Sequence, residues 1–255
     1  MPYKYLFFVL AALLLGACKS TQPDKRQNQA ASAIEFLYPN REVVTPVAVA
    51  NLAEIKVPFK IGLAFVPDNA DPSFRITEAE RIDLLASVRQ AFQRYPFVSS
   101  IEAIPSSYLP HGGGFESLDR VANLLSLDCI VLLSYDQMQF ADLTGWSWLY
   151  WTGIGVYTVS ADRYDVLTSV EAAVFDVRSR KLLMRAGGNS QVKGEATMVG
   201  FGEKAREARS SGFRDALQKL IPNLHAEVKA FRERAPGDRS IRLDLPPGYD
   251  PNAAR

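Results

Sequence analysis

Histidine and cysteine are the scarcest chemistry-bearing residues in this chain, with two of each among 255 residues. His111, His225, Cys18 and Cys129 are too few and too scattered for a disulfide framework, and their spacing fits no zinc site. Charge of one sign is also lacking: 29 Lys and Arg stand against 28 Asp and Glu, a formal net charge of +1. No strong field attracts nucleic acid, so no nucleic-acid partner is expected. There is no Walker A loop, no CxxC pair and no HExxH, and no carboxylate cluster at metal-ligand spacing. Neither a metal nor a cofactor is expected, and neither is enzyme activity. No apolar run reaches the roughly 20 residues a membrane-spanning helix needs. Tryptophan occurs only in "TGWSWLYWTGIGVYT" (144–158), with three glycines and no charge.

The amino-terminal residues carry an address. Lys4 precedes an apolar run from Tyr5 to Leu15, followed by Leu15-Gly16-Ala17-Cys18. That order matches a secretory signal, and Leu-Gly-Ala-Cys has the form of a lipobox. The expectation is a signal peptide over 1–17, cleaved so that Cys18 becomes the lipid-bearing (palmitate and diacylglycerol) amino terminus. Each buried methylene contributes about 0.8 kcal/mol, so a multiply acylated Cys18 is a stable anchor. In a Gram-negative cell, Lys19 after the cysteine points to the outer membrane, with the domain facing the periplasm.

Residues 18–55 read as a tether with one short docking patch, "IEFLYP" (34–39). Regular structure then begins. "FKIGLAFV" (59–66) reads as a strand, and Thr77-Glu78-Ala79-Glu80 as a capping box opening a helix that Pro96 stops. "FVSSIEAIP" (97–105) is a second strand. A glycine turn leads to a short helix through Leu118 and Leu125, and "CIVLLSY" (129–135) has the continuous apolar run of a central strand. Cys129 reads there as a small buried residue. Two strands, 164–177 and 181–192, form a hairpin, and a helix spans about 201–234 with a stripe from Phe213 to Phe231. Gly212 and Pro222 are candidate bends in it. Residues 235–255 read as a loose tail. The order β-α-β-α-β-β-β-α predicts a single α/β domain over 56–234. Its sheet is mixed and about five-stranded, with an aromatic insertion at 136–162.

Three patterns invite chemistry and fall short of it. His111 opens "HGGG", which has the form of a hydrolase oxyanion loop, but no Gly-x-Ser-x-Gly elbow accompanies it. "GFGEKA" (200–205) has a dinucleotide-motif form without a following strand and acidic residue. Asp136 and Asp142 flank the aromatic run and read as solvated loop carboxylates, and His225 reads as a surface residue of the last helix. Trp146, Trp148, Tyr150, Trp151 and Tyr157 are the candidate contact residues. They suit an interfacial wedge, a core or partner surface covering the sheet, or an oligomeric pore inserting 140–160.

"IEFLYP", "VPFKIGLAFVP", "PFVSSIEAIPSSYL", "LLSYDQ" and "LLMRAGG", in that order, resemble the bacterial rhombotarget lipoprotein family. The resemblance implies a lipoprotein found alongside rhombosortase, a rhomboid-type intramembrane protease, with no activity of its own. The end "PGYDPNAAR" departs from a rhombosortase substrate, lacking Gly-Gly followed by a hydrophobic helix and basic residues. The element order is similar to envelope lipoproteins of the curli-secretion-channel class and to the amino-terminal domain of the Tol-system propeller protein. The reading that follows is a non-enzymatic outer-membrane lipoprotein serving an unidentified protein partner in envelope assembly, sorting or secretion. The alternative is an oligomeric, secretion-channel-like lipoprotein. The sequence leaves the oligomeric state open.

Overall fold

The computed structural model describes residues 27–39, 52–68, 75–143, 160 and 162–249. In chain order these form β1 (Gln27–Ala31), α1 (Ala33–Leu37), β2 (Ala53–Lys56), β3 (Phe59–Phe65), α2 (Glu78–Phe92) and β4 (Val98–Ala103). There follow α3 (Gly114–Leu125), β5 (Cys129–Leu143), β6 (Asp162–Asp176), β7 (Leu182–Ala196), α4 (Phe201–Arg234) and β8 (Ile241–Asp244). The result is a mixed α/β domain. Its main sheet has six strands in the order β4-β3-β5-β6-β7, with β1 added to β5, and β2 and β8 form a separate pair.

β3, β4 and β5 are parallel, and β5, β6 and β7 are antiparallel. The chain leaves β3 for β4, then passes back over β3 to β5. That reversal puts α2 and α3 on opposite faces. α2 shares its face with α4, and α3 shares the other with α1. Ile130 and Leu132 of β5 are fully buried, as are Leu63 and Phe65 of β3, so the sheet's middle is dry on both faces.

α4 sets the geometry of its face. Its buried residues recur at helical spacing, but their size changes along it. Ala205, Ala208, Gly212 and Ala216 fill the first half, and Leu217, Leu220, Leu224, Val228 and Phe231 the second. The small half lets the helix backbone touch the sheet: a Cβ on Gly188 of β7 would lie 2.1 Å from the Ala216 carbonyl oxygen. Pro222 faces solvent, where the carbonyl it leaves unbonded meets water, and the helix runs unbroken through it. Polar side chains of α4 also cap the free edge of β7. Lys219 donates to the Asn189 carbonyl at 2.9 Å, Asn223 to Gly187 at 2.7 Å and Arg234 to Leu183 at 2.9 Å. Capped edge carbonyls cannot template another strand.

Four stretches differ from the sequence reading. Residues 27–31, read as tether, form β1 against β5, where the one described inward polar side chain, Gln29, donates to Gln137 at 2.6 Å, and both are buried. Residues 241–244, read as tail, pair in parallel with β2, burying Ile55 and half-burying Ile241 and Leu243. β5 and β6 run on through Leu143 and from Asp162 as direct neighbours. The linking segment is therefore 144–161, joining adjacent antiparallel strands. Asp136 and Asp142 consequently sit on a strand, with exposed side chains.

Gly188 tests the seating of α4. Gly188→Val should destabilise the fold by about 3 kcal/mol or more in urea unfolding, since overpacking against backbone has no cheap relief. Gly187→Ala, whose nearest neighbour would lie 3.6 Å away, should shift stability by less than about 1 kcal/mol.

Candidate functional site

The face under α2 and α4 changes character along its length. At one end of β5, Gln137 and Gln139 are buried among polar partners. Gln137 donates to Thr168 Oγ1 at 2.7 Å and to the Arg209 carbonyl at 3.0 Å, and Arg209 donates to Gln139 at 2.6 Å. Gly212 makes room for this column, since a Cβ there would lie 2.6 Å from Thr168 Oγ1. The column fixes β1 through Gln29, which donates to Gln137.

Midway along the face lies a buried ion cluster. Asp68, just past β3, is paired with Arg81 of α2 and with Arg75 at 3.2 Å, and accepts the Tyr135 hydroxyl at 2.5 Å. Burial, reinforced by Asp68, pushes the Tyr135 phenol well up, so it remains a protonated donor. Tyr135 also packs edge-on against Phe213 with centroids 5.0 Å apart. The cluster ties β3, α2, β5 and α4 together. Its carboxylate is fully engaged, which suits a structural role.

At the other end the face opens into an apolar cavity of about 260 Å³. Its floor is Phe59, Ile61 and Leu63 of β3 with Cys129 and Val131 of β5; its walls are Val88 and Phe92 of α2 and Leu224, Val228 and Phe231 of α4. Ile55 of β2, Leu243 of β8 and Leu245 roof it. The large side chains on the second half of α4 face the sheet across it, and the sheet there supplies aliphatic and aromatic groups with the sulfur of Cys129 and Met184. Burial, aided by the charges of Asp176 and Asp128, pushes the Cys129 thiol well up, so it lines the cavity as an unreactive thiol.

The candidate residues fall far apart. Cys18, Trp146, Trp148, Tyr150, Trp151 and Tyr157 lie outside the described residues. His111 is exposed, without a hydrogen-bond partner among the described residues, in a turn whose glycines supply left-handed backbone: Gly112 at φ 63° and Gly114 at φ 59°. Gly200 precedes α4 after an antiparallel edge strand, so the glycine pair there opens a helix and not a βαβ unit. His225 is half-buried. Its ring stacks on Phe92 with centroids 4.3 Å apart, and Nδ1 lies 2.5 Å from the Tyr95 hydroxyl, closing the gap between α2 and α4 beside the cavity. The apolar cavity itself was missed by sequence reasoning. Its one available signal was the unusual size gradient along α4.

No protein-family model and no curated protein matches the chain. Several solved structures align with it at low similarity. A neuraminyllactose-binding haemagglutinin homologue from Helicobacter pylori is 9% identical with a TM-score of 0.42, covering 73% of this chain and 94% of that one. A DUF330-family protein from Xanthomonas campestris is 8% identical at 0.35, covering 71% and 90%. The PelC dodecamer from Paraburkholderia phytofirmans is 9% identical at 0.27, covering 64% and 93%. Among the described residues, no helix is long and apolar enough to cross a membrane.

His225 gives a pH test. Burial first, then Arg94, lowers its folded pKa below 6.5, so the unfolded chain takes up the proton earlier as pH falls. Its contribution is therefore present above 6.5 and lost as pH falls from there through the lower folded value. Between about pH 7.5 and 5.5 the urea midpoint should fall more steeply in the parent than in His225→Phe. Equal slopes would contradict the assignment.

Proposed function

We propose that the chain is a non-enzymatic lipoprotein of the outer membrane that presents its α/β domain to a protein partner in envelope assembly, sorting or secretion. The lipobox at Cys18 motivates the anchor, and the direction from which the anchor arm arrives supports the rest. Gln27 pairs with Gln139 on β5, and nine residue steps (27 − 18) separate it from Cys18, a span of at most about 32 Å. Leu143, where the aromatic run departs, is four residues along the same strand (143 − 139), or about 14 Å. β1 thus begins, and the segment 144–161 departs, at the same end of the sheet, the end at which an anchor and the aromatic run would meet a bilayer or a partner close to it. The helix-covered body and the cavity face away from it.

Resemblance to the rhombotarget family assigns the partner to a rhombosortase-associated pathway, and the finer likeness to curli-channel and Tol-type domains belongs to the same proposal. The oligomeric-channel alternative draws support from the β5–β6 ladder, which stays paired to Leu143 and Asp162 and so directs two adjacent strands into 144–161.

The full chain with its leader, expressed in a Gram-negative host, tests the proposal. Palmitate should label the parent and not Cys18→Ser, which should leave the membrane fraction. A photo-crosslinking residue at position 151 should join the chain to a protein of different mass. A ladder of self-crosslinks would favour the channel. An unlabelled, soluble parent without crosslinks would refute both.

A further inference from the structure

We infer that the cavity beneath β2 and β8 binds the aliphatic chain of an anionic amphiphile. The inference goes beyond the proposed function and stands whether or not Cys18 is acylated. Three observations carry it. First, the lining is aliphatic and aromatic apart from Arg232, the Tyr249 hydroxyl and the weakly polar sulfur atoms of Cys129 and Met184, so a ligand's body has to be hydrocarbon, and water gains few partners there. Second, the cavity is long: it follows α4 from Leu224 to Arg232, eight residues or about 12 Å, and β3 from Phe59 to Leu63, about 13 Å. A chain fits that shape along the groove between helix and strand. Third, the one cation among the described lining residues is Arg232, half-buried on the last turn of α4, and Tyr249 is close by in the same lining. A guanidinium there selects a carboxylate or phosphate head over a neutral one.

The roof supplies the way in. β2 and β8 meet over four residue pairs and come from distant parts of the chain. Leu245, just past β8, is 49% exposed although it lines the cavity. The lysine ammonium of Lys181 holds the near end of β8 through Ser240. Lifting this two-stranded flap opens the cavity without disturbing the six-stranded sheet or α4. The cavity lies at the opposite end of β5 from Gln139 and Leu143, so a chain bound there is separate from any lipid at the anchor end.

The test uses the purified full chain, stripped of lipid, with a dansyl-labelled fatty acid as probe and palmitic acid or hexadecanol as competitor. Palmitic acid should displace the probe at micromolar concentration. Val131→Phe and Val228→Phe each fill the cavity, and whichever keeps a native melting transition should bind at least about tenfold more weakly. Arg232→Gln, provided that its melting transition matches the parent's, should weaken palmitic acid about tenfold while leaving hexadecanol unchanged. Protein re-isolated from phosphatidylglycerol vesicles and extracted for mass spectrometry distinguishes the sources. Carried phospholipid identifies a bilayer lipid, and fatty acid alone a free carboxylate. No displacement of the probe, binding by a folded filled variant equal to the parent's, or equal weakening of acid and alcohol by Arg232→Gln would each overturn the inference.

Discussion

The contact of the α4 backbone with the β6–β7 hairpin is the constraint on which the remaining packing depends. At Gly188 the helix backbone meets the strand directly, at Gly212 the helix meets the Thr168 and Gln137 side chains, and neither position accepts a Cβ without displacing its neighbours. Beyond Leu220, whose backbone also lies against Gly188, the buried residues are the larger Leu224, Val228 and Phe231, and the cavity opens beside them. One helix thus produces two environments. Where it touches, amide and hydroxyl groups of Gln137, Gln139 and Thr168 are squeezed into contact and satisfied by one another and by Arg209. Where it stands off, an apolar cavity remains. The Asp68 cluster separates the two and keeps the faces in register by holding β3, α2 and β5 at a single carboxylate.

This division gives the domain a direction. β1 enters at the polar end, antiparallel to β5, and the same end leads into the aromatic run. The buried Gln29–Gln137 pair makes β1 a specific attachment and not a passing stretch of linker, because a polar strand is retained inside a sheet only where its side chains find partners. The opposite end carries the flap formed by β2 and β8, a pairing of two short strands with few hydrogen bonds of its own.

Much of the fold was legible in the sequence. The strands from Phe59 to Val177, the capped helix at Thr77 and the hairpin turn at Arg178–Arg180 all carry strong period or turn signals, and α4 showed its stripe from Phe213 to Phe231. The parts that were not legible share a cause. β1 is "QNQAA", whose burial depends on amide partners more than a hundred residues away. β2 and β8 are four residues each, too short for alternation to stand out. The first half of α4 packs through Ala and Gly, which add little hydrophobic signal while making the closest contacts. His225 was misread because its neighbours in sequence are polar, although its ring meets Phe92 and Tyr95 across the helix gap. The cavity was invisible for a related reason: residues that fill space and residues that fail to fill it look alike in sequence.

Amide hydrogen exchange on the purified full chain tests the central division between a rigid helix–sheet unit and a separable flap. Peptides covering 130–135, 166–174 and 213–231 should exchange only with global unfolding. Those covering 53–56 and 241–244 should exchange at least about a hundredfold faster, by local opening. A flap as protected as β5, or a second half of α4 as labile as the flap, would contradict the account.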